Sequence, residues 1–147
     1  MPERQTHGVG THARPMLHPL HAILLAFPIA LFTGALVADI AYLRTAELQW
    51  SNFAGWMITG ALVAGGVVLL WALVSVVFAR RAGRMRAAGY LLLIVIMWAA
   101  GLVNAFQHSR DGWSAVGALG LLLSLTSTLS ALVAGWIGFS ALRRIVR

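Results

Sequence analysis

The stretch ARPMLHPLHAILLAFPIALFTGALVADIAYLR, residues 13–44, places ionisable groups at both ends of a long apolar run. His18 and His21 open the run, and Asp39 lies near its far end. The apolar part, residues 19–41, reaches the ~20 residues that an α-helix needs to cross about 30 Å of hydrocarbon. The stretch therefore predicts a transmembrane helix with polar groups at both ends.

The composition of the whole chain also indicates a lipid environment. The 147 residues are 60% hydrophobic and only 10% charged, whereas a soluble globular domain has roughly 25% charged residues. A chain of this length could not hide so much apolar surface in one water-soluble core. We therefore expect a single domain with the lipid bilayer as its solvent.

Four apolar segments of spanning length follow one another along the chain. They cover about residues 19–41, 53–79, 87–106 and 114–142. Only helices satisfy their backbone hydrogen bonds in lipid without closing a barrel, and no segment shows the alternation of a barrel strand. Because the connections are short, consecutive helices are expected to be antiparallel. The sequence predicts an all-α integral membrane four-helix bundle of up-down-up-down topology, occupying residues 16–142.

The arginines predict the orientation of this bundle. All eleven basic residues are arginines, and all except Arg44 and Arg110 fall on one side of the predicted helices. Basic residues concentrate on the cytoplasmic side of membrane proteins, so both termini are expected in the cytoplasm. Residues 1–15 then form a flexible cytoplasmic tail, and residues 143–147 form a short basic one.

Several kinds of function are excluded or disfavoured by residue types. The chain has no cysteine, which excludes disulfides, thiolate catalysis, iron–sulfur clusters and covalently attached c-type haem. The net charge is +7, but the arginines flank apolar runs, so they fit anionic lipid headgroups better than nucleic acid. No nucleic-acid partner is expected. No catalytic triad, carboxylate pair or phosphate-binding loop is found, which leans against an enzyme.

His18 and His21 have two interpretations. Three positions apart on one helix, they lie on the same side and can be interfacial side chains that reach water or headgroups. Alternatively, they are ligands of haem or of a metal ion, since neutral imidazole is a common ligand. Two neighbours on one helix cannot ligate opposite faces of a haem iron, and His108 is expected roughly 30 Å away. A haem would need a different second ligand, five-coordination or a second subunit.

A polar cluster is predicted at the other end of the first helix. Asp39 is expected at the same depth as Asn104 and His108, which share one helix face, with Arg110 and Asp111 directly after. An intramembrane carboxylate indicates a functional site, here a periplasmic one with an Asp39–His108 or Asp39–Arg110 pair. The alternative is structural: Asp39 pairs with Arg110 and tethers the outer loops, while Asp111 or Ser114 caps the fourth helix.

His18-Pro19, Phe27-Pro28 and Asp39 of the first helix resemble the opening of a family of bacterial inner-membrane proteins, the domain of unknown function 2231 family. The stretch GLVNAFQHSRDGWSAVG, residues 101–117, is similar to a second recurring element of one branch of that family. The resemblance implies a four-helix protein of the bacterial inner membrane without an assigned activity. Related domains occur beside Rieske-type and quinoprotein dehydrogenase domains, which implies a membrane redox partner. Many relatives place a histidine near the start of the third helix, where this chain reads RMRAAGYLLL.

Three functions follow in order of preference. The first is a non-catalytic anchor or accessory of a membrane redox system. The second is a small electron carrier that binds b-type haem or quinone through His18 or His21. The third is a transporter or proton-linked channel that uses Asp39, Asn104 and His108. The sequence leaves open whether two copies form a homodimer.

Overall fold

The computed structural model describes residues 18–110 and 116–143, with side chains as far as Phe139. In these ranges the chain forms four helices: α1 Pro19–Thr45, α2 Leu48–Val77, α3 Arg81–His108 and α4 Ala118–Arg143. All four are long and apolar enough to cross a membrane, so the predicted all-α membrane bundle is confirmed. The predicted tail at residues 1–15, most of the tail at 143–147, and Asp111 lie outside the described residues.

Helix α1 begins and ends with local hydrogen bonds that its sequence supplies. The Nδ1 atom of His18 accepts the backbone N–H of Leu20 at 3.3 Å. Pro19 follows in the first turn, where its missing N–H costs no hydrogen bond. At the other end Ala46 adopts a left-handed conformation, φ 58°, and its N–H donates to the carbonyl of Tyr42 at 2.8 Å. The chain therefore turns back into α2 within two residues.

Helices α2 and α3 begin before the apolar segments that predicted them, whereas α4 begins at Ala118, later than the predicted start at about residue 114. Helix α2 begins at Leu48 rather than at about 53, and α3 begins at Arg81 rather than at about 87. Apolarity marks only the part of a helix that lies in hydrocarbon, whereas arginine and alanine are good helix formers and continue the helix past it. The predicted connection at residues 80–86 is thus largely the exposed first turns of α3. The orientation in the membrane stays a prediction.

Each helix packs against two neighbours. Helices α1 and α3 both contact α2 and α4, so α1 and α3 lie diagonally across the bundle and run parallel. Large apolar side chains such as Leu70, Trp56 and Trp136 are exposed on the outside, where lipid would cover them. The buried core lies between the helices, and each of the four helices contributes residues to it.

The diagonal pair meets in a constant register. The hydrogen bonds that join α1 to α3 both link residues 69 positions apart. The same offset relates the whole inward stripe of α1 to that of α3. These stripes, called the α1–α3 interface below, are His21, Leu25, Pro28, Phe32, Ala35 and Asp39, with Tyr90, Ile94, Met97, Gly101, Asn104 and His108.

Gly101 permits close approach in the middle of this interface. A Cβ atom at Gly101 would lie 2.5 Å from Cζ of Phe32, a separation that real Cβ atoms essentially never show. Phe32 is fully buried, and its carbonyl also accepts the Thr128 hydroxyl at 3.0 Å. Because lipid gives helices no hydrophobic force towards each other, such close contacts and interhelical hydrogen bonds fix the register.

Candidate functional site

His21 lies at one end of the α1–α3 interface, bonded to Tyr90. Its Nε2 atom is 2.8 Å from the Tyr90 hydroxyl oxygen, and only 1% of the residue is exposed. Its ring also meets Trp71 edge-on, with 5.5 Å between ring centroids. The other nitrogen, Nδ1, is buried and has no hydrogen-bond partner among the described residues. A buried polar atom without a partner costs free energy, so a group that bonded to this nitrogen would be stabilising.

A pocket opens beside this histidine. Its volume is about 470 Å³, within the range of roughly 300–1,000 Å³ that is typical of small-molecule sites. We call it the His21 pocket, and its polar and aromatic lining is His18, His21, Trp71, Ser75, Arg86 and Tyr90. His18 is exposed at its mouth, with its ring centroid 5.6 Å from that of Trp71. The pocket combines hydrogen-bonding groups with an aromatic wall.

The predicted histidine pair does not have the geometry of a bis-histidine haem site. His18 and His21 come from the same helix, and Tyr90 occupies the place on α3 that faces His21. The Nδ1 atom of His18 is used by the helix cap, and Nε2 of His21 is used by Tyr90. Within the described ranges, no three His, Cys, Asp or Glu side chains are grouped to hold a metal ion.

Asp39 lies at the opposite end of the interface, and it is completely buried. Its Oδ1 atom is 2.8 Å from Nε2 of His108, and its Oδ2 atom accepts the Ser124 hydroxyl at 2.5 Å. Asn104 donates from Nδ2 to the oxygen of Ser124 at 2.7 Å. These four residues, Asp39, Asn104, His108 and Ser124, form what we call the Asp39 cluster.

Of the two partners that the sequence offered for Asp39, the structure brings His108 to it. Arg110 lies just beyond α3, where its guanidinium donates to Oε1 of Gln107 at 3.3 Å on the exposed surface. The alternative in which Asp39 tethers the loops through Arg110 is therefore not the arrangement found. The proposed cap at Asp111 or Ser114 falls outside the described residues.

The imidazole of His108 has a hydrogen-bond acceptor on each side. Nδ1 is 3.0 Å from the backbone carbonyl of Asn104, and Nε2 faces the carboxyl group of Asp39. A carbonyl can only accept, so Nδ1 must carry a hydrogen. The hydrogen bond between Nε2 of His108 and Oδ1 of Asp39 needs one further proton, which can reside on either atom. In both forms the pair as a whole is neutral, which suits burial within a membrane.

A second, open pocket gives access to His108. It measures about 260 Å³ and lies between α2 and α3. Its polar lining comes chiefly from Ser51, Asn52 and Thr59 of α2, with Gly55 against His108. We call it the vestibule. The Asp39 cluster is thus buried in protein but adjoins a polar opening at its own end of the bundle.

Tyr90 and Ser124 were missed as site residues. A hydroxyl within a helix can bond back to the preceding turn, as those of Thr126 and Ser127 do, but Ser124 donates across to Asp39. A signal for Tyr90 did exist in the sequence. His21 precedes Asp39 by the same number of residues as Tyr90 precedes His108, about five helical turns. Equal spacing of polar residues on two apolar helices indicates one shared interface.

Comparison with known proteins confirms the family that the sequence predicted. A family model described as a predicted membrane protein (DUF2231) matches residues 17–145, which is nearly the whole chain. Comparison with curated proteins and with solved structures finds no match.

Proposed function

This chain belongs to the DUF2231 family of predicted membrane proteins, and we propose that its His21 pocket binds a lipid-soluble quinone. A quinone presents a flat ring with carbonyl oxygens and an apolar tail. One observation carries the proposal. The fully buried His21 has one ring nitrogen without a partner among the described residues and a tyrosine hydroxyl on its other nitrogen, beside a pocket of ligand size.

The residues that line the His21 pocket can make the contacts that a quinone needs. Nδ1 of His21 can donate to a ring carbonyl when Nε2 accepts the Tyr90 hydroxyl, or the Tyr90 hydroxyl can donate when Nε2 carries the ring hydrogen. Arg86 offers further donors nearby. Trp71 gives a flat apolar face for the ring. A separate apolar groove on α2 shares Trp71 with the pocket and is otherwise lined by Val67, Leu70 and Val74. This groove is suited to an isoprenoid tail that leaves the pocket towards lipid.

The proposed role is that of a non-catalytic accessory to a membrane redox partner. With no cysteine in the chain, neither an iron–sulfur cluster nor a redox dithiol can be built from its own residues. Holding a quinone where a partner can reach it requires neither. The family resemblance implies a location in the bacterial inner membrane, and the arginine distribution supports an orientation that puts the His21 pocket at the cytoplasmic end.

Quinone binding can be measured directly. The protein is purified from its native membrane, its lipid extract is analysed for quinone, and a short-chain quinone is titrated into the protein in lipid nanodiscs. Quenching of tryptophan fluorescence reports binding, and Trp71→Phe should remove most of it. The matched control is Trp136→Phe, because Trp136 is 78% exposed on the outside of the bundle. We expect His21→Leu to weaken binding about tenfold, the loss of roughly one hydrogen bond.

Three results would contradict the proposal. The first is an extract without quinone together with quenching that does not saturate. The second is saturable binding of anionic phospholipid that quinone does not displace, which would make the pocket a headgroup site. The third is a Soret band that shifts on dithionite reduction, which would show that the protein binds haem rather than quinone.

A further inference from the structure

The hydrogen bonds of the Asp39 cluster are directed towards the carboxyl group. Asn104 donates to Ser124, and Ser124 donates to Oδ2 of Asp39. The amide orientation is fixed by this chain, because the serine hydroxyl has one hydrogen and uses it on Asp39. Oδ1 of Asn104 is left buried and without a partner among the described residues. The cluster therefore leaves only the Asp39–His108 contact with a hydrogen that can reside on either partner.

We propose that Asp39 and His108 together bind one exchangeable proton, which enters and leaves through the vestibule. In the loaded state the proton lies between Nε2 of His108 and Oδ1 of Asp39, which are 2.8 Å apart. On release, one H⁺ passes to water in the vestibule. Asp39 is left as a carboxylate, and His108 is left as a neutral imidazole that is protonated on Nδ1. This site is distinct from the His21 pocket, and its test does not depend on quinone binding.

Release of the proton would also open the link between α1 and α3. Without it, the lone pair of Nε2 faces a carboxylate oxygen at hydrogen-bond distance, and two acceptors at that separation repel each other. This repulsion would favour rotation of the His108 ring towards the vestibule, whose lining already includes His108. The opposite end of the interface, His21 with Tyr90, contains no carboxylate and would stay closed.

Among the residues that the structure describes, few other charges lie near this pair. Helix α2 contributes hydroxyl and amide groups but no ionisable side chain between Leu48 and Val77, and Glu47 before it is exposed. From α1, Arg44 is exposed near the helix end. Arg110 is bonded to Gln107, and α4 contributes Ser124. The titration of the pair should therefore appear as a single proton event.

Nuclear magnetic resonance can follow that proton in lipid nanodiscs. The full chain is labelled with ¹⁵N-histidine and ¹³C-carboxyl aspartate, and Asp111→Asn leaves Asp39 as the sole aspartate. At low pH we expect the shared proton on either His108 or Asp39. As the pH rises, we expect one step that leaves Asp39 ionised and one nitrogen of His108 unprotonated. Asp39→Asn should abolish this step, and the milder Ser124→Ala variant should shift it.

Access through the vestibule has its own test. Gly55→Leu should fill the vestibule, since a Cβ atom at this position would be in van der Waals contact with Cβ of His108. The variant should therefore slow exchange of the His108 ring proton with heavy water. The control is Val63→Leu, which adds apolar bulk to the exposed face of the same helix. Two results would overturn the proposal: no titration step while the helical circular dichroism signal persists, or equal exchange rates in both variants.

Discussion

The two ends of the α1–α3 interface are built on the same register but use different chemistry. At one end His21 meets Tyr90, a pair with no acidic group next to a pocket of about 470 Å³. At the other end His108 meets Asp39, an acid–base pair held by two further side chains beside a smaller vestibule. The first end thus adjoins a pocket of ligand size, whereas the second adjoins only the smaller vestibule. The comparison teaches that one helix pair with a constant offset can present two different polar arrangements at its two ends.

The placement of the acidic residue follows from the cost of charge in lipid. A charged side chain inside the bilayer is expensive unless it is paired. Asp39 lies near the end of α1 and has a hydrogen-bonding partner on each carboxyl oxygen. The pair at the other end needs less support, because neither a neutral histidine nor a tyrosine is ionised, whereas Asp39 and His108 can each be charged even when the pair as a whole is neutral. The two ends should therefore differ most in what happens when one partner is removed.

The largest effect is expected for Asp39→Ala. The substitution leaves the His108 imidazole and the Ser124 hydroxyl buried without their partner. Removing one partner of a buried pair costs about 3–5 kcal/mol. The free energy of unfolding in detergent micelles measures the loss.

The control for this variant removes both partners together. Asp39→Leu combined with His108→Leu should recover much of the stability, since apolar residues in place of a buried pair are often nearly neutral. A single variant as stable as the double one would show that the pair is not coupled, and the contrast between the two ends would disappear.

An intermediate effect is expected for Gly101→Ala, between the two ends. The new methyl group would collide with the ring of Phe32, and forced overpacking costs about 1–3 kcal/mol. The control is Gly89→Ala on the same helix, where nothing lies within 4 Å of the added atom. If both variants unfold at the same denaturant concentration, Phe32 and Gly101 are not in contact and the register is wrong.

The smallest effect is expected for Tyr90→Phe. It removes one hydrogen bond to His21 and keeps the ring, and interhelical side-chain bonds in membranes are worth about 0.6 kcal/mol on average. Tyr42→Phe serves as the control, since Tyr42 is buried at the far end of α1 outside the α1–α3 interface. A loss from Tyr90→Phe as large as that from Asp39→Ala would mean that the two ends are equivalent.

The fold was largely readable from the sequence, but the helix ends were not. Four apolar runs of spanning length leave few alternatives in lipid, and the structure confirms the bundle. The start of α3 at Arg81 was missed because hydropathy reports where hydrocarbon begins, while arginines continue a helix into the headgroup layer. Residue type alone pointed to Asp39 and His108. It could not choose between His108 and Arg110 as the partner of Asp39, because that choice depends on helix rotation.

Tyr90 and Ser124 show the limit of reading each residue by itself. Tyrosine and serine are unremarkable within apolar helices, and a serine hydroxyl can satisfy itself on its own backbone. Their roles appear only once α1 is placed against α3 and α4, when Tyr90 faces His21 and Ser124 faces Asp39. The usable signal was the constant offset between polar residues on α1 and α3. It can be found only by comparing pairs of positions, because neither residue of a pair shows it alone.

One solid-state magnetic resonance sample tests the register most directly. The protein in lipid bilayers is labelled with ¹⁵N in the histidine rings, ¹³C at the aspartate carboxyl carbon and ¹³C at the tyrosine Cζ carbon. We expect histidine nitrogens to dephase the signals of one of the two aspartates, Asp39, and one of the two tyrosines, Tyr90, because both contacts are 2.8 Å between heavy atoms. If only one signal dephases, or neither, α1 and α3 do not meet at both ends with one offset, and the central claim is wrong.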